Sequence, residues 1–146
     1  MASEAPVSVD AIRLRLTNQA GTEGVLLGTR CGECGEYAFG LISFCQACTS
    51  ADTEPVELSS RGTLYSYTVV WVPPPCWLGD VPYVLGQIEL PEGPHVLAEV
   101  VGCRHEELTI GEPVELTLQR VRPDDSGSEL MVYKWRPVDQ PRRETR

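Results

Sequence analysis

Four of the six cysteines in this 146-residue chain stand in two pairs, Cys31-x2-Cys34 and Cys45-x2-Cys48, with ten residues between the pairs. A CxxC pair places two thiolates on one tight turn, and two such knuckles brought face to face complete a tetrahedral all-sulfur site for a divalent cation. Gly32 and Gly35 are the small residues that such a knuckle needs where its backbone amides turn towards the sulfurs. Four thiolates without a His predict a structural zinc with no open coordination position, so no chemistry at the metal is expected. Iron in a rubredoxin-like site is the alternative metal, and two disulfides are the alternative to any metal. Crowding of the four cysteines favours the metal and, with it, a reducing compartment. So short a segment has little core of its own, and metal binding is expected to be coupled to its folding.

Nothing else in the chain has the pattern of a catalytic group. Cys76 and Cys103 form no second pair with ligand spacing, and the only histidines, His95 and His105, are tied to neither by spacing. A nucleophilic thiol needs a base beside it. Glu106 and Glu107 are adjacent and need not face one another, and Asp124-Asp125-Ser126-Gly127-Ser128 reads as a solvated hairpin turn. Phosphate-binding loops, dinucleotide glycine sets, serine elbows and HExxH are all absent. No catalytic residue is assigned.

The segment Trp71-Val72-Pro73-Pro74-Pro75-Cys76-Trp77-Leu78-Gly79-Asp80-Val81-Pro82-Tyr83 is the second unusual run. Proline fixes its shape at little entropic cost, and rigid aromatics are favoured anchors at interfaces. Trp71, Pro74, Trp77, Leu78 and Tyr83 are therefore expected to face a partner or ligand, with a hydrophobic plug on the chain's own barrel as the other reading.

The elements that must position these groups are strands. Gly62–Trp71, Tyr83–Leu90, Val96–Val101, Val114–Arg120 and Leu130–Trp135 are rich in Val, Leu, Tyr and Trp and are divided by Pro, Gly and Asp turns. Val84, Gly86, Ile88 and Leu90 alternate with Tyr83, Leu85, Gln87 and Glu89, as do Val114, Leu116 and Leu118 with Glu115, Thr117 and Gln119. Five short strands without room for crossover helices predict a mostly β chain whose C-terminal part closes as a five-stranded OB-fold barrel; a small open sheet or an SH3-like barrel is the alternative. The division expected is an N-terminal arm over 1–21, a zinc ribbon over 22–50, a barrel over 55–137 and a charged tail over 138–146.

Charge narrows the partners. Twelve basic against 21 acidic side chains leave a formal net charge of -9, which argues against a partner held through phosphates. Apolar runs are too short for a membrane span, and the start, with Glu4 and Asp10, is unlike a secretory leader. A cytoplasmic location is the expectation, with neither nucleic acid nor membrane as partner.

Three stretches in order carry a family resemblance: Gly28-Thr29-Arg30-Cys31-Gly32-Glu33-Cys34-Gly35, Cys45-Gln46-Ala47-Cys48 and Gly62-Thr63-Leu64-Tyr65-Ser66-Tyr67-Thr68-Val69-Val70. It continues through Pro82–Leu90, Val100–Cys103 and Leu108–Glu115. The chain resembles the family of small proteins in which a rubredoxin-like zinc ribbon precedes an OB-fold, many of them found beside thiolases or acyl-CoA hydratases. The resemblance implies metal-ligand roles for Cys31, Cys34, Cys45 and Cys48. It also implies a non-catalytic subunit of a hetero-oligomeric thiolase, with the catalytic Cys and His on the partner and a coenzyme A thioester as substrate of the complex. That substrate would be a 3-oxoacyl-CoA, with benzoylsuccinyl-CoA of anaerobic toluene degradation as one such compound in the family. Phe39-Gly40-Leu41-Ile42 departs from the aromatic-Pro-Pro-Arg run common there, which removes a family contact through Arg and leaves an apolar surface instead. Two other readings stay open: a single-stranded nucleic-acid module, since both folds serve that purpose, and a free-standing acyl-CoA or lipid-transfer protein.

Overall fold

The computed structural model describes residues 6–75, 77, 79–121 and 129–138. Cys76, Leu78, the Asp124–Ser128 turn and the tail from residue 139 lie outside these. Ten strands and a single 3-10 turn make up the described elements: β1 (Val7–Ser8), β2 (Leu14–Leu16), β3 (Gly24–Cys31), β4 (Tyr37–Phe39), β5 (Thr53–Glu57), β6 (Arg61–Val70), β7 (Tyr83–Glu89), β8 (His95–Val100), the turn His105–Glu107, β9 (Pro113–Val121) and β10 (Leu130–Pro137).

The last five strands are those expected from the alternation, and they close on themselves. β6 pairs with β7, β7 with β8, β8 with β10, β10 with β9 and β9 back with β6. All of these are antiparallel except β8–β10, which is parallel, and the closed circuit is that of an OB-fold. β6 serves both neighbours because its ladder to β7 slips between Leu64 and Ser66, a bulge that bends the strand. Val84 and Ile88 point inwards with Leu64, Val96, Val100, Val114 and Trp135. Gly86 lies among them because a Cβ there would come within 2.5 Å of Val100 Cγ2.

The ribbon is built around β3. β2 pairs with its first half, β4 with its second half, and β5 runs antiparallel along Leu27–Cys31. Residues read in sequence as an arm thus supply a strand to the ribbon sheet, and β1 adds a parallel strand to β10 of the barrel. These strands are two and three residues long, and their few apolar positions give almost no periodic signal. Leu14, Leu26 and Leu58 pack into the same core cluster as the barrel residues, and Leu58 N–H donates to the Leu26 carbonyl at 2.8 Å. Ribbon and barrel therefore share one core.

Candidate metal centre

Cys31 ends β3, and the chain reverses immediately to enter β4. The Gly35 N–H donates to the Cys31 carbonyl at 3.0 Å, and the Cys31 N–H to the Glu36 carbonyl at 2.9 Å. The second knuckle repeats the pattern: Thr49 N–H to the Cys45 carbonyl at 2.8 Å and Cys45 N–H to the Ser50 carbonyl at 2.8 Å. Both turns need a left-handed residue four positions after the first cysteine, supplied by Gly35 (φ 79°) and Thr49 (φ 66°). A β-branched residue is strained there. Thr49→Gly is expected to stabilise the fold by about 0.5–1 kcal/mol, the relief of the left-handed strain outweighing the added chain entropy. Thermal unfolding of the two chains checks this, and a lower melting temperature for the glycine variant contradicts it.

The knuckles face one another. All four Sγ atoms lie within 4.8 Å of each other, with Cys31–Cys48 at 3.6 Å and Cys34–Cys45 at 3.7 Å. A tetrahedron of sulfurs each about 2.3 Å from a central zinc has edges of about 3.8 Å, so the residues fit a four-coordinate cation. The separations are far beyond the roughly 2.05 Å of a disulfide, and all four are thiols. Cys31 and Cys45 are buried, 2% and 4% exposed, while Cys34 and Cys48 face outwards. Glu33 N–H and Cys34 N–H donate to the Cys31 sulfur at 3.3 and 3.5 Å, and Ala47 N–H to the Cys45 sulfur at 3.3 Å.

The sulfurs do not titrate alike. Cys31 falls to about 6, chiefly through the amide of Cys34, with that of Glu33 helping to overcome burial. At Cys48 the Ser50 backbone lowers the pKa, but the Cys31 sulfur, burial and the other two cysteines outweigh it and push the thiol up to about 12. Cys34 is also raised: the Glu36 backbone contact and the Cys48 sulfur lower it and are outweighed by burial and the sulfurs of Cys45 and Cys31. Such a site exchanges protons for a divalent cation.

The loop after the second strand of the knuckle is braced by Thr29, whose buried hydroxyl donates to the Gly40 carbonyl at 2.8 Å and accepts from Ile42 N–H at 3.0 Å. Phe39 turns inwards, edge-on to Tyr133, whereas Ile12, Leu41 and Phe44 stay exposed on the ribbon. Leu41 N–H donates to the Ile12 carbonyl, which brings these two side by side.

The aromatic connection divides in two. Trp71 is 63% exposed beside His105, and Val72 to Pro75, including Pro74, are exposed with it. Trp77 instead folds back, stacked on Tyr83 with ring centres 3.9 Å apart and its Nε1 donating to the Asp80 carbonyl. Lys134, Glu99 and Leu97, which no sequence pattern marked, border a groove beneath Trp77; a lysine within the otherwise apolar run Leu130–Trp135 is the available signal.

Residues 55–119 match the family described as the C-terminal OB-fold domain of ChsH2. A DUF35 domain-containing scaffold protein of Methanocaldococcus jannaschii is 35% identical over 116 residues, covering 78% of this chain and 82% of that protein. The chain belongs to the DUF35 family. Another relative, the benzoylsuccinyl-CoA thiolase subunit BbsA of Thauera aromatica, is 34% identical over 118 residues, covering 81% of this chain and 80% of that one. Among solved structures, the Ltp2-ChsH2(DUF35) aldolase superposes with a TM-score of 0.58 at 32% identity over 77% of this chain and 84% of that chain. This DUF35 chain joins a barrel to a cysteine cluster, and coverage of about four-fifths of the chain carries the alignments beyond the barrel.

Proposed function

We propose that this DUF35 protein is the non-catalytic subunit of a hetero-oligomeric thiolase, holding a structural zinc and working beside a thiolase-like catalytic subunit. The observation that carries the reading is the identity with a named thiolase subunit along four-fifths of both chains. The site supports it: four thiolates fill a tetrahedral ion's coordination, which leaves the metal to hold the ribbon together. Zinc is preferred to iron because a subunit that supports a partner needs no redox change at its metal, and four thiolates are a structural zinc's ordinary ligand set. Docking falls to the exposed apolar residues, Ile12, Leu41 and Phe44 on the ribbon and Trp71 and Val72 after the first barrel strand. The substrate of the complex is a 3-oxoacyl-CoA, with aryl compounds such as benzoylsuccinyl-CoA the favoured class, and the reaction is thiolytic cleavage on the partner, in the cytoplasm.

Co-expression with a thiolase-like subunit, followed by gel filtration, zinc analysis and a thiolysis assay, tests the proposal. The expected result is co-elution with about one zinc per chain, as a single four-thiolate site requires, and activity that needs both proteins. Elution of each protein alone, with full activity in the catalytic subunit by itself, overturns it. Binding of an acyl-CoA by the isolated chain favours the transfer-protein reading instead.

A further inference from the structure

The barrel closes weakly at one seam. β8 and β10 share a single parallel bridge, Val100 with Trp135, after which the Val101 N–H donates to the Trp135 carbonyl at 2.8 Å. Upstream of that bridge the strands part. β10 takes β1 along Leu130 and Met131, leaving a wedge of about 510 Å³ between β8 on one side and β10 with Val9 and Asp10, which follow β1, on the other. Lys134, 8% exposed, reaches across its narrow end to Glu99 at 2.6 Å. Leu85, Leu97, Val121 and Val132 line the walls, and Trp77 and Tyr83 stand over them.

One wall is an open strand edge. The Leu90 N–H donates to the Pro94 carbonyl at the β7–β8 hairpin, and alternation along an antiparallel ladder then turns the main-chain groups of His95, Leu97 and Glu99 away from β7. Val101, next in that series, already bonds across to β10. Among the described residues the bridge to β10 takes up the Glu99 carbonyl, and no further bridge engages the Glu99 N–H or Leu97 on this side. The lining includes Ala98, whose side chain belongs to the core, which places the β8 backbone itself on the groove wall.

Charge selects the kind of occupant. Lys134 is matched by Glu99, and Arg13 is paired with Asp10 at the groove's other end, so among the described residues no unpaired cation there is left to hold a phosphate. Apolar walls, a balanced ion pair and main-chain donors and acceptors in a row suit an extended uncharged peptide.

We infer that the wedge receives an extended apolar segment of the catalytic subunit, about four residues long at ~3.3 Å per residue, which pairs with the open edge of β8 and seats side chains under Trp77 and Tyr83. The inference rests on the proposed partnership and names the element that makes it. Strand addition draws affinity from the backbone and specificity from alternate side chains, so Leu97 is the position where the segment's side chains meet the wall.

The test compares amide exchange in the complex co-expressed with the thiolase-like subunit against exchange in this chain alone, and adds Leu97→Asp and Leu97→Met. Leu97 is 55% exposed, so neither variant is expected to lose its fold. Expected are slowed exchange at the Leu97 and Glu99 amides in the complex, at least a tenfold loss of affinity for Leu97→Asp, and retention of affinity for Leu97→Met. A complex that forms with both amides still exchanging freely and with Leu97→Asp at full affinity overturns strand addition while leaving the partnership standing. Absence of any complex defeats both. Protection of these amides by a concentrated sample of the chain alone assigns the edge to a second copy, and protection by a short-chain acyl-CoA alone assigns the wedge to a small ligand; either result overturns the peptide.

Discussion

Cys31→Ser is expected to abolish stoichiometric metal binding and to lower the melting temperature by on the order of 10 °C, because metal binding in such sites is a large part of their folding free energy. The position is the most demanding of the four. Its sulfur is buried at the end of β3, takes two backbone amides and sits 3.6 Å from that of Cys48. Serine offers a shorter, harder and far less acidic ligand there. The outward-facing Cys34 tolerates the same change better, since water reaches it and can take up a vacated coordination position. Acid acts in the same sense as mutation. Cys34 and Cys48 have raised pKa values, so they carry protons at neutral pH that a cation must displace, and apparent affinity climbs as pH rises. Chelator competition at pH 6 and pH 8, with elemental analysis of both variants, measures these effects. Full zinc content in Cys31→Ser at pH 7, or an affinity that is flat between the two pH values, contradicts the four-thiolate assignment.

The centre and the barrel were legible in the sequence for different reasons. Two CxxC pairs constrain the chain locally, and the turns that join Cys31 to Glu36 and Cys45 to Ser50 are closed by neighbours five residues apart. The five barrel strands announce themselves through alternation that one half-buried sheet imposes on Tyr83–Leu90 and Val114–Gln119. What escaped was decided at long range. β1 and β2 are two and three residues long, and their strand identity comes from Leu130–Met131 and from Gly24–Leu26, not from their own side chains. β5, which straddles the gap between the expected ribbon and the expected barrel, is a strand because Leu27–Cys31 offers it an edge. The groove is harder still to foresee. It exists because β8 and β10 meet at one pair of residues only, and no local pattern encodes how far two strands diverge. The aromatic run was recognised as unusual, yet its two ends have opposite fates: Trp71 is left in solvent while Trp77 closes on Tyr83. Gly79 permits that closure, since a Cβ there would stand 3.2 Å from the Trp77 ring.

Shared burial makes the second large effect predictable. Leu26→Ala should cost about 3 kcal/mol, within the 2–5 kcal/mol typical of emptying a buried leucine site, and lower the melting temperature by roughly 10 °C. Leu26 lies in the ribbon's central strand, is fully buried, and packs in one cluster with Leu14, Leu58 and the barrel's Leu64, Ile88 and Trp135. Its carbonyl also accepts from Leu58 where the chain crosses from one part to the other. A cavity there loosens both parts together, so calorimetry is expected to show a single transition that moves as a whole, and the destabilisation should appear equally in the metal-loaded protein. Ile12→Ala, on the exposed ribbon face, serves as the control and should stay within about 0.5 kcal/mol of the parent. Two separate transitions, with the barrel's unmoved by Leu26→Ala, would mean that the cluster is two cores in contact. A single transition has a functional corollary: a ribbon rigidly joined to the barrel presents Ile12, Leu41 and Phe44 at a fixed distance from the β8 edge, and a partner can then engage both surfaces at once without the entropic cost of aligning two mobile parts.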